Sequence, residues 1–244
     1  MLAHRDNQRY KQWHLEATAQ LLRDKYPTSS IFIVKPCKMN LGTFSVYSNF
    51  VSSNLIGVPD HEQHMDSWKH LSLLMKNAVQ SVLSVQQRSS ELNSSCCSDV
   101  TSLAVVYALP KHVIGFSKGC VVLNQLLYEL KTALSDDEVK PFVSSVQTMT
   151  WLDGGHSGHG NGEPTWVCDE SVLQVLSATA IRVYSHVSPY QISDAMRPWK
   201  GKEHKKFISL LRKLKIGVTN TVYFEDEPAS IENHFQILSE FKNM

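Results

Sequence analysis

The chain has 244 residues, 42% of them hydrophobic, and 24 lysines and arginines against 23 acids give a net charge of +1. That length is enough for one α/β domain with a sizeable core, and the near-neutral charge argues against nucleic acid as the main partner. Cys37, Cys96, Cys97, Cys120 and Cys168 show no C-x-x-C spacing, against a disulfide framework or a zinc site. The longest apolar runs, such as Leu103 to Leu109, are too short to cross a bilayer, so no transmembrane segment is expected. Met1 to Asn7 already holds an acid and lacks a signal-peptide core. Taken alone, these features describe a soluble intracellular chain.

In chain order, Tyr10 to Tyr26 reads as a helix with Trp13, Ala17, Leu21 and Leu22 on one face and Pro27 ending it. Ile31 to Val34 is a short β-branched and aromatic run, the pattern of a buried strand, and Thr43 to Tyr47 is a second short extended candidate. From Asp66, the residues Trp68, Leu71, Leu74, Met75, Ala78, Val79 and Val82 recur at three-four spacing and predict a long amphipathic helix. Residues 86–99 are polar, serine-rich and aperiodic, which predicts a flexible surface insertion within a single 1–244 domain. A strand is expected to run from Val105 to Ile114, with a helix after it ending near Ser135 to Asp137. Val143 to Leu152 is the next strand, closed by the glycine-rich run Gly154 to Gly160. Ser171 to Ala180 then predicts a helix, Ile181 to Val187 a strand, Lys202 to Lys215 a helix, Val218 to Phe224 a strand and Ser230 to Phe241 a helix. Strands alternating with helices at this spacing predict a mostly parallel central sheet with helices on both faces.

Between the first long strand and its helix lies Gly115-Phe116-Ser117-Lys118-Gly119, a G-x-S-x-G pentapeptide. A strand, a sharp turn and a helix are the context that makes this pattern a nucleophile elbow. The serine is expected in a strained conformation, with both glycines avoiding collisions between strand and helix. The N–H groups and dipole of the new helix then face any oxyanion formed at Ser117. A serine needs a base to take its proton, and the base needs an acid to orient it. His234, just after the last strand, is the expected base. His204 and His186 compete less well, the first on a basic helix and the second inside a strand. Asp194, after the penultimate strand, is the first candidate for the acid, and Asp153, after the strand that follows the elbow, is the alternative.

Two other patterns compete with this reading. Asp153, His156 and His159 form a D-x-x-H-x-x-H string, but a glycine-rich loop gives them no common face for a metal, and none is expected. Arg197, Lys200, Lys202, Lys205, Lys206, Arg212, Lys213 and Lys215 cluster in one segment. Such a run is more often the solvated face of a helix than an anion-binding surface.

Gly115 to Gln125, Trp151 to His156, Ser188 to Gln191 and Ser230 to Phe235 together resemble uncharacterised protein family 0565, over about Trp13 to Phe241. The resemblance implies an α/β-hydrolase-like fold, a serine site at Ser117 and His234 with an unassigned substrate, and a mitochondrial association, with the cytoplasm as the alternative. Relatives in that family begin earlier, with a presequence and a strand leading into a Pro-Gly-Asp turn, so this chain reads as N-terminally shortened. In such a fold one oxyanion donor is the N–H of the residue after the serine, here Lys118, and the other comes from the loop after that early strand.

The expected function is hydrolysis of a small-molecule or lipid ester or thioester by Ser117, His234 and Asp194 (or Asp153), with no cofactor. The alternative is a catalytically impaired member of the fold acting as an interaction scaffold for a protein partner.

Overall fold

A computed structural model describes residues 12–54, 57–92, 108–156 and 164–242. The first helix, α1 (Leu15–Lys25), is capped by the His14 ring, which accepts from the Ala17 N–H, and Leu22 is its buried residue. Residues 10 and 11 of the expected helix lie outside the described residues. Ile31 to Val34 forms no strand. Ile31 and Ile33 are half-buried against the cluster that holds Leu22, while Phe32 and Val34 are exposed. The alternation suits an extended segment, but without a ladder partner among the described residues β-propensity alone does not make a strand.

Two small antiparallel pairs follow: β1 (Lys38–Asn40) with β2 (Phe44–Val46), and β3 (Ser52–Ser53) with β4 (Pro59–Asp60). Helix α2 (Ser67–Leu92) starts at the expected place but runs on through residues 86–92, which the sequence assigns to an insertion. Residues 93–99 of that insertion lie outside the described residues. At its start, the buried Glu129 carboxylate accepts from the Ser67 backbone N–H at 2.8 Å, a helix N-terminus met by an anion. Trp68 is buried, whereas Leu74 and Val82 of the expected apolar face are exposed.

Strand β5 (Lys111–Phe116) begins after Pro110, which has no N–H for a ladder, and runs two residues past the expected end. Residues 105–107 of the expected strand are outside the described residues. A single 3₁₀ turn, Ser117–Gly119, leads into α3 (Cys120–Tyr128), then α4 (Leu130–Ser135) and α5 (Lys140–Ser144). Part of the strand expected from Val143 is therefore helix, and β6 is Val146–Leu152. Next come α6 (Glu170–Leu176), β7 (Arg182–Val187), the one-turn helix α7 (Pro189–Ile192), α8 (Trp199–Lys213), β8 (Val218–Val222) and α9 (Ile231–Glu240). The Ser230 hydroxyl caps α9 by accepting from the Asn233 N–H.

β5 to β8 form one four-stranded parallel sheet in sequence order. β5 is thus an edge strand among the described residues, not the central strand expected of an elbow. The sheet is covered on both faces. Met149, Trp151, Val183 and Val187 point into a cluster with Trp68 of α2, Leu126 of α3, Phe142 of α5, Leu173 of α6 and Phe207 of α8. Leu152 points the other way, to Leu22 of α1 and Ile237 and Leu238 of α9. Each fully buried large apolar side chain adds about 1.5–3 kcal/mol, so these two clusters hold the helices to the sheet. The architecture is α/β with a parallel four-stranded sheet, and no helix of the described residues is long and apolar enough to cross a membrane.

Candidate active site

Ser117 follows the last residue of β5 with φ of 54°, a left-handed backbone that costs a non-glycine residue about 1–2 kcal/mol. Only one of the two elbow glycines has a steric role. A Cβ at Gly115 would lie 3.0 Å from the Gly119 carbonyl oxygen and from Leu123, whereas one at Gly119 would meet only the Tyr47 hydroxyl at 3.8 Å. The tight turn aims the Ser117 side chain beyond the carboxyl end of the sheet, where ligand and catalytic groups collect in open parallel sheets.

The partners of Ser117 come from two other loops. α9 carries His234 in its first turn, and His234 Nε2 lies 2.9 Å from Ser117 Oγ. His234 Nδ1 lies 2.7 Å from Asp153 Oδ2. Asp153 is fully buried, immediately after β6, and its N–H extends the ladder by donating to the His186 carbonyl at 2.8 Å. Its carboxylate accepts from the Ser188 backbone N–H and hydroxyl, both at 2.6 Å. These two donors fix the orientation of the carboxylate against the imidazole. The imidazole is fixed on its faces as well: Phe116 stacks on it with centroids 4.9 Å apart, and Tyr190 lies tilted at 5.0 Å.

Asp194 is placed elsewhere. Its carboxylate accepts from Arg197 Nε and from the Met196 N–H, closing a local turn, and it makes no hydrogen bond to His234. The reason is α7, which intervenes after β7 and carries Asp194 two residues beyond the helix end. His204 and His186 are also away from the serine. His204 Nε2 pairs with the Ser185 hydroxyl at 2.9 Å, and His186 is enclosed by Tyr184, Tyr223 and Phe241.

His156, Gln191, Ser188 and Lys200 complete the surroundings, and sequence reasoning gave none of them a role here. His156 Nε2 is 3.2 Å from Ser117 Oγ and 2.9 Å from Gln191 Nε2. Burial holds the His156 imidazole well below its ordinary pKa, and the neighbouring His234, Lys200, Lys118 and Arg197 push the same way, so it stands neutral at physiological pH. The signal was available for three of these four, since His156, Ser188 and Gln191 lie inside motifs that stand out in the sequence. Lys200 was hidden in a basic run whose other members are exposed.

Lys118 contributes a backbone N–H in the first turn after the serine, where no intrahelical acceptor exists. Its side chain leaves the site to donate to the Gly57 carbonyl at 2.7 Å, and burial lowers its pKa to about 8. Asp153 and His156 are spoken for by these contacts, and His159 lies outside the described residues. Among the described residues no cluster of three His, Cys, Asp or Glu side chains could hold a metal. A groove of about 480 Å³ lined by Ala17, Gln20, Leu21, Asp24, Lys25 and Ser239 shares no residue with this site.

Comparison with known proteins adds a lineage to this geometry. A family model described as C2orf69 matches residues 1–107 and 104–217, which include Ser117, Asp153 and His156. The chain is similar to the mitochondrial protein C2orf69 homolog of Mus musculus, 40% identical over 267 residues that cover 97% of this chain and 72% of the relative. It is equally similar to the mitochondrial protein C2orf69 of Homo sapiens, 40% identical over 268 residues covering 97% of this chain and 69% of the relative. The Danio rerio homolog is 40% identical over 229 residues, 94% of this chain and 65% of its own length. No solved structure matches.

Proposed function

The chain belongs to the C2orf69 family, and from that premise we propose that it is a mitochondrial serine hydrolase of the α/β-hydrolase type, acting on an ester or thioester of a small molecule or lipid. The observation that carries the reading is the relay from Asp153 Oδ2 to His234 at 2.7 Å and from His234 to Ser117 Oγ at 2.9 Å. The mitochondrial location rests on the three relatives, which are named as mitochondrial proteins.

In this mechanism Ser117 Oγ attacks the substrate carbonyl carbon as its proton passes to His234 Nε2. The new O–C bond pushes the carbonyl electron pair onto oxygen, where the Lys118 N–H and the adjoining helix end stabilise it. The tetrahedral adduct collapses, the bond to the leaving alkoxide or thiolate breaks, and that group takes the proton from His234. Water then repeats the sequence on the acyl-serine, releasing the acid and restoring Ser117. Asp153 keeps the imidazole in the tautomer with the proton on Nδ1 and balances the charge it gains.

A fluorophosphonate probe tests this directly. The parent chain is expected to be labelled once, and Ser117→Ala to lose the label. An unlabelled parent, or equal labelling of both, would return the chain to the reading of a non-catalytic interaction scaffold.

A further inference from the structure

Lys200, in the first turn of α8, has only 2% of its surface exposed. Among the described residues no acceptor lies within hydrogen-bonding distance of its Nζ. A buried ammonium without a partner loses its hydration and gains nothing in return, so such groups are paired in finished assemblies. The acids that feel its charge are already engaged. Asp153 is held by His234 and Ser188, and Asp194 by Arg197 and the Met196 N–H.

The same spot holds a second orphan. Gln191 is fully buried, and its Oε1 has no partner among the described residues while its Nε2 faces His156 Nε2. Lys200 Cε, Gln191 Oε1 and Trp166 Nε1 all lie 3.2–3.5 Å from the point where a Cβ on Gly155 would stand, so only glycine leaves this corner open. The corner adjoins the nucleophile, since His156 follows Gly155 and touches Ser117 Oγ at 3.2 Å. The Tyr190 ring connects it to the base, with Lys200 Nζ 6.0 Å from its centroid and the His234 ring 5.0 Å away. If the Gln191 amide is turned, its NH₂ faces the corner and its oxygen accepts from His156, a choice fixed by the ligand present.

We propose that Lys200, with Gln191, forms an anion subsite beside Ser117, so that the substrate is an ester or thioester carrying a carboxylate or phosphate on the part bound next to His156. This deepens the hydrolase reading and rests on it for the word substrate. The field agrees with it. Lys118, Arg197 and Lys200 all act on His156, and Lys200 is the one of the three without a bonded acceptor among the described residues. Burial also lowers the Lys200 pKa to about 8, which an anion would reverse. The other basic residues of α8, such as Lys206, are exposed and take no part.

The test has a binding arm and a turnover arm, both on the full chain. Inorganic phosphate and succinate are titrated separately while the thermal midpoint and the rate of fluorophosphonate labelling are followed. One of them is expected to raise the midpoint and slow labelling, and which one does so says whether the natural group is a phosphate or a carboxylate. Lys200→Met is expected to abolish both effects, while Lys206→Met keeps them. Between the 4-nitrophenyl monoester of succinate and neutral 4-nitrophenyl butyrate, Lys200→Met should cut the preference for the charged ester by about 10- to 100-fold, the range of a charged hydrogen bond. If Lys200→Met does not fold, the two anion titrations on the parent still decide. No effect of either anion on a parent that is labelled at Ser117 overturns the subsite alone. Anion effects lost in Lys200→Met with Ser117 unlabelled would keep the subsite and overturn the hydrolase.

Discussion

His234 and Asp153 share a 2.7 Å hydrogen bond that joins the first turn of α9 to the end of β6, two elements with β7 and β8 between them in the chain. Asp153 is in turn fastened to Ser188 at the end of β7. The orientation of one imidazole therefore depends on three loops that leave the same edge of the sheet.

That dependence separates the two candidate acids. Asp153→Asn is expected to keep the fold and lower kcat by about 1,000- to 10,000-fold, because an amide cannot hold the imidazole in the right tautomer. Asp194→Asn should stay within a few-fold of the parent, since that carboxylate serves a local turn with Arg197. Esterase kinetics on the two variants, beside circular dichroism, check this. Equal losses would reassign the acid.

At the elbow, Gly115→Ala forces a Cβ to within 3.0 Å of the Gly119 carbonyl and Leu123, and overpacking of that kind costs about 1–3 kcal/mol. Gly119→Ala makes only an ordinary contact with the Tyr47 hydroxyl at a helical backbone, where the loss of chain freedom in the unfolded state stabilises by about 0.4–1 kcal/mol. Urea unfolding of the two variants should move in opposite directions. A neutral Gly115→Ala would mean the turn is looser than its contacts indicate.

Acid sensitivity follows from three histidines outside the site, His186 and His204 buried and His61 half-buried. Burial lowers the pKa of His61, His186 and His204 to about 4, against an ordinary 6.5. Between those values the unfolded chain binds more protons than the folded one, so stability falls as pH falls. It is fully present above about 6.5, declines through the window, and levels off below about 4, with each histidine contributing at most about 1.4 kcal/mol per pH unit. Thermal midpoints from pH 7 to 4 should drop accordingly, and His204→Gln should flatten the slope. A midpoint constant across that window would contradict the burial of these rings.

Much of this arrangement was legible in the sequence, and the exceptions have local causes. Ser117 was marked by its glycines and flanking periodicity, and His234 by its place after the last strand. The parallel pairing of β5 to β8 followed from the alternation of strand and helix patterns, whereas the edge position of β5 did not. The choice between Asp153 and Asp194 was not legible, because α7 spans only Pro189–Ile192, too short to show a helical period, yet it decides where Asp194 goes. Ile31 to Val34 misled because its side chains suit a ladder, while a ladder needs a neighbour that local sequence does not reveal. Lys200 was hidden because its environment comes from Gly155, Tyr190 and Gln191, all distant from its own helix pattern.

The distance along the chain between Ser117 and His234 also has a consequence in time. They are 117 positions apart, and the three ladders from β5 to β8 lie between their meeting and the elbow. Parallel pairings close long loops and are slow to form. A growing or refolding chain can complete its elbow early, with the hydroxyl in place but no imidazole beside it. On the proposed hydrolase reading, Ser117 gains its base only when α9 docks on the finished sheet, so a partly folded chain would carry an unreactive serine. Fluorophosphonate labelling during refolding would then report the last docking step rather than the first collapse.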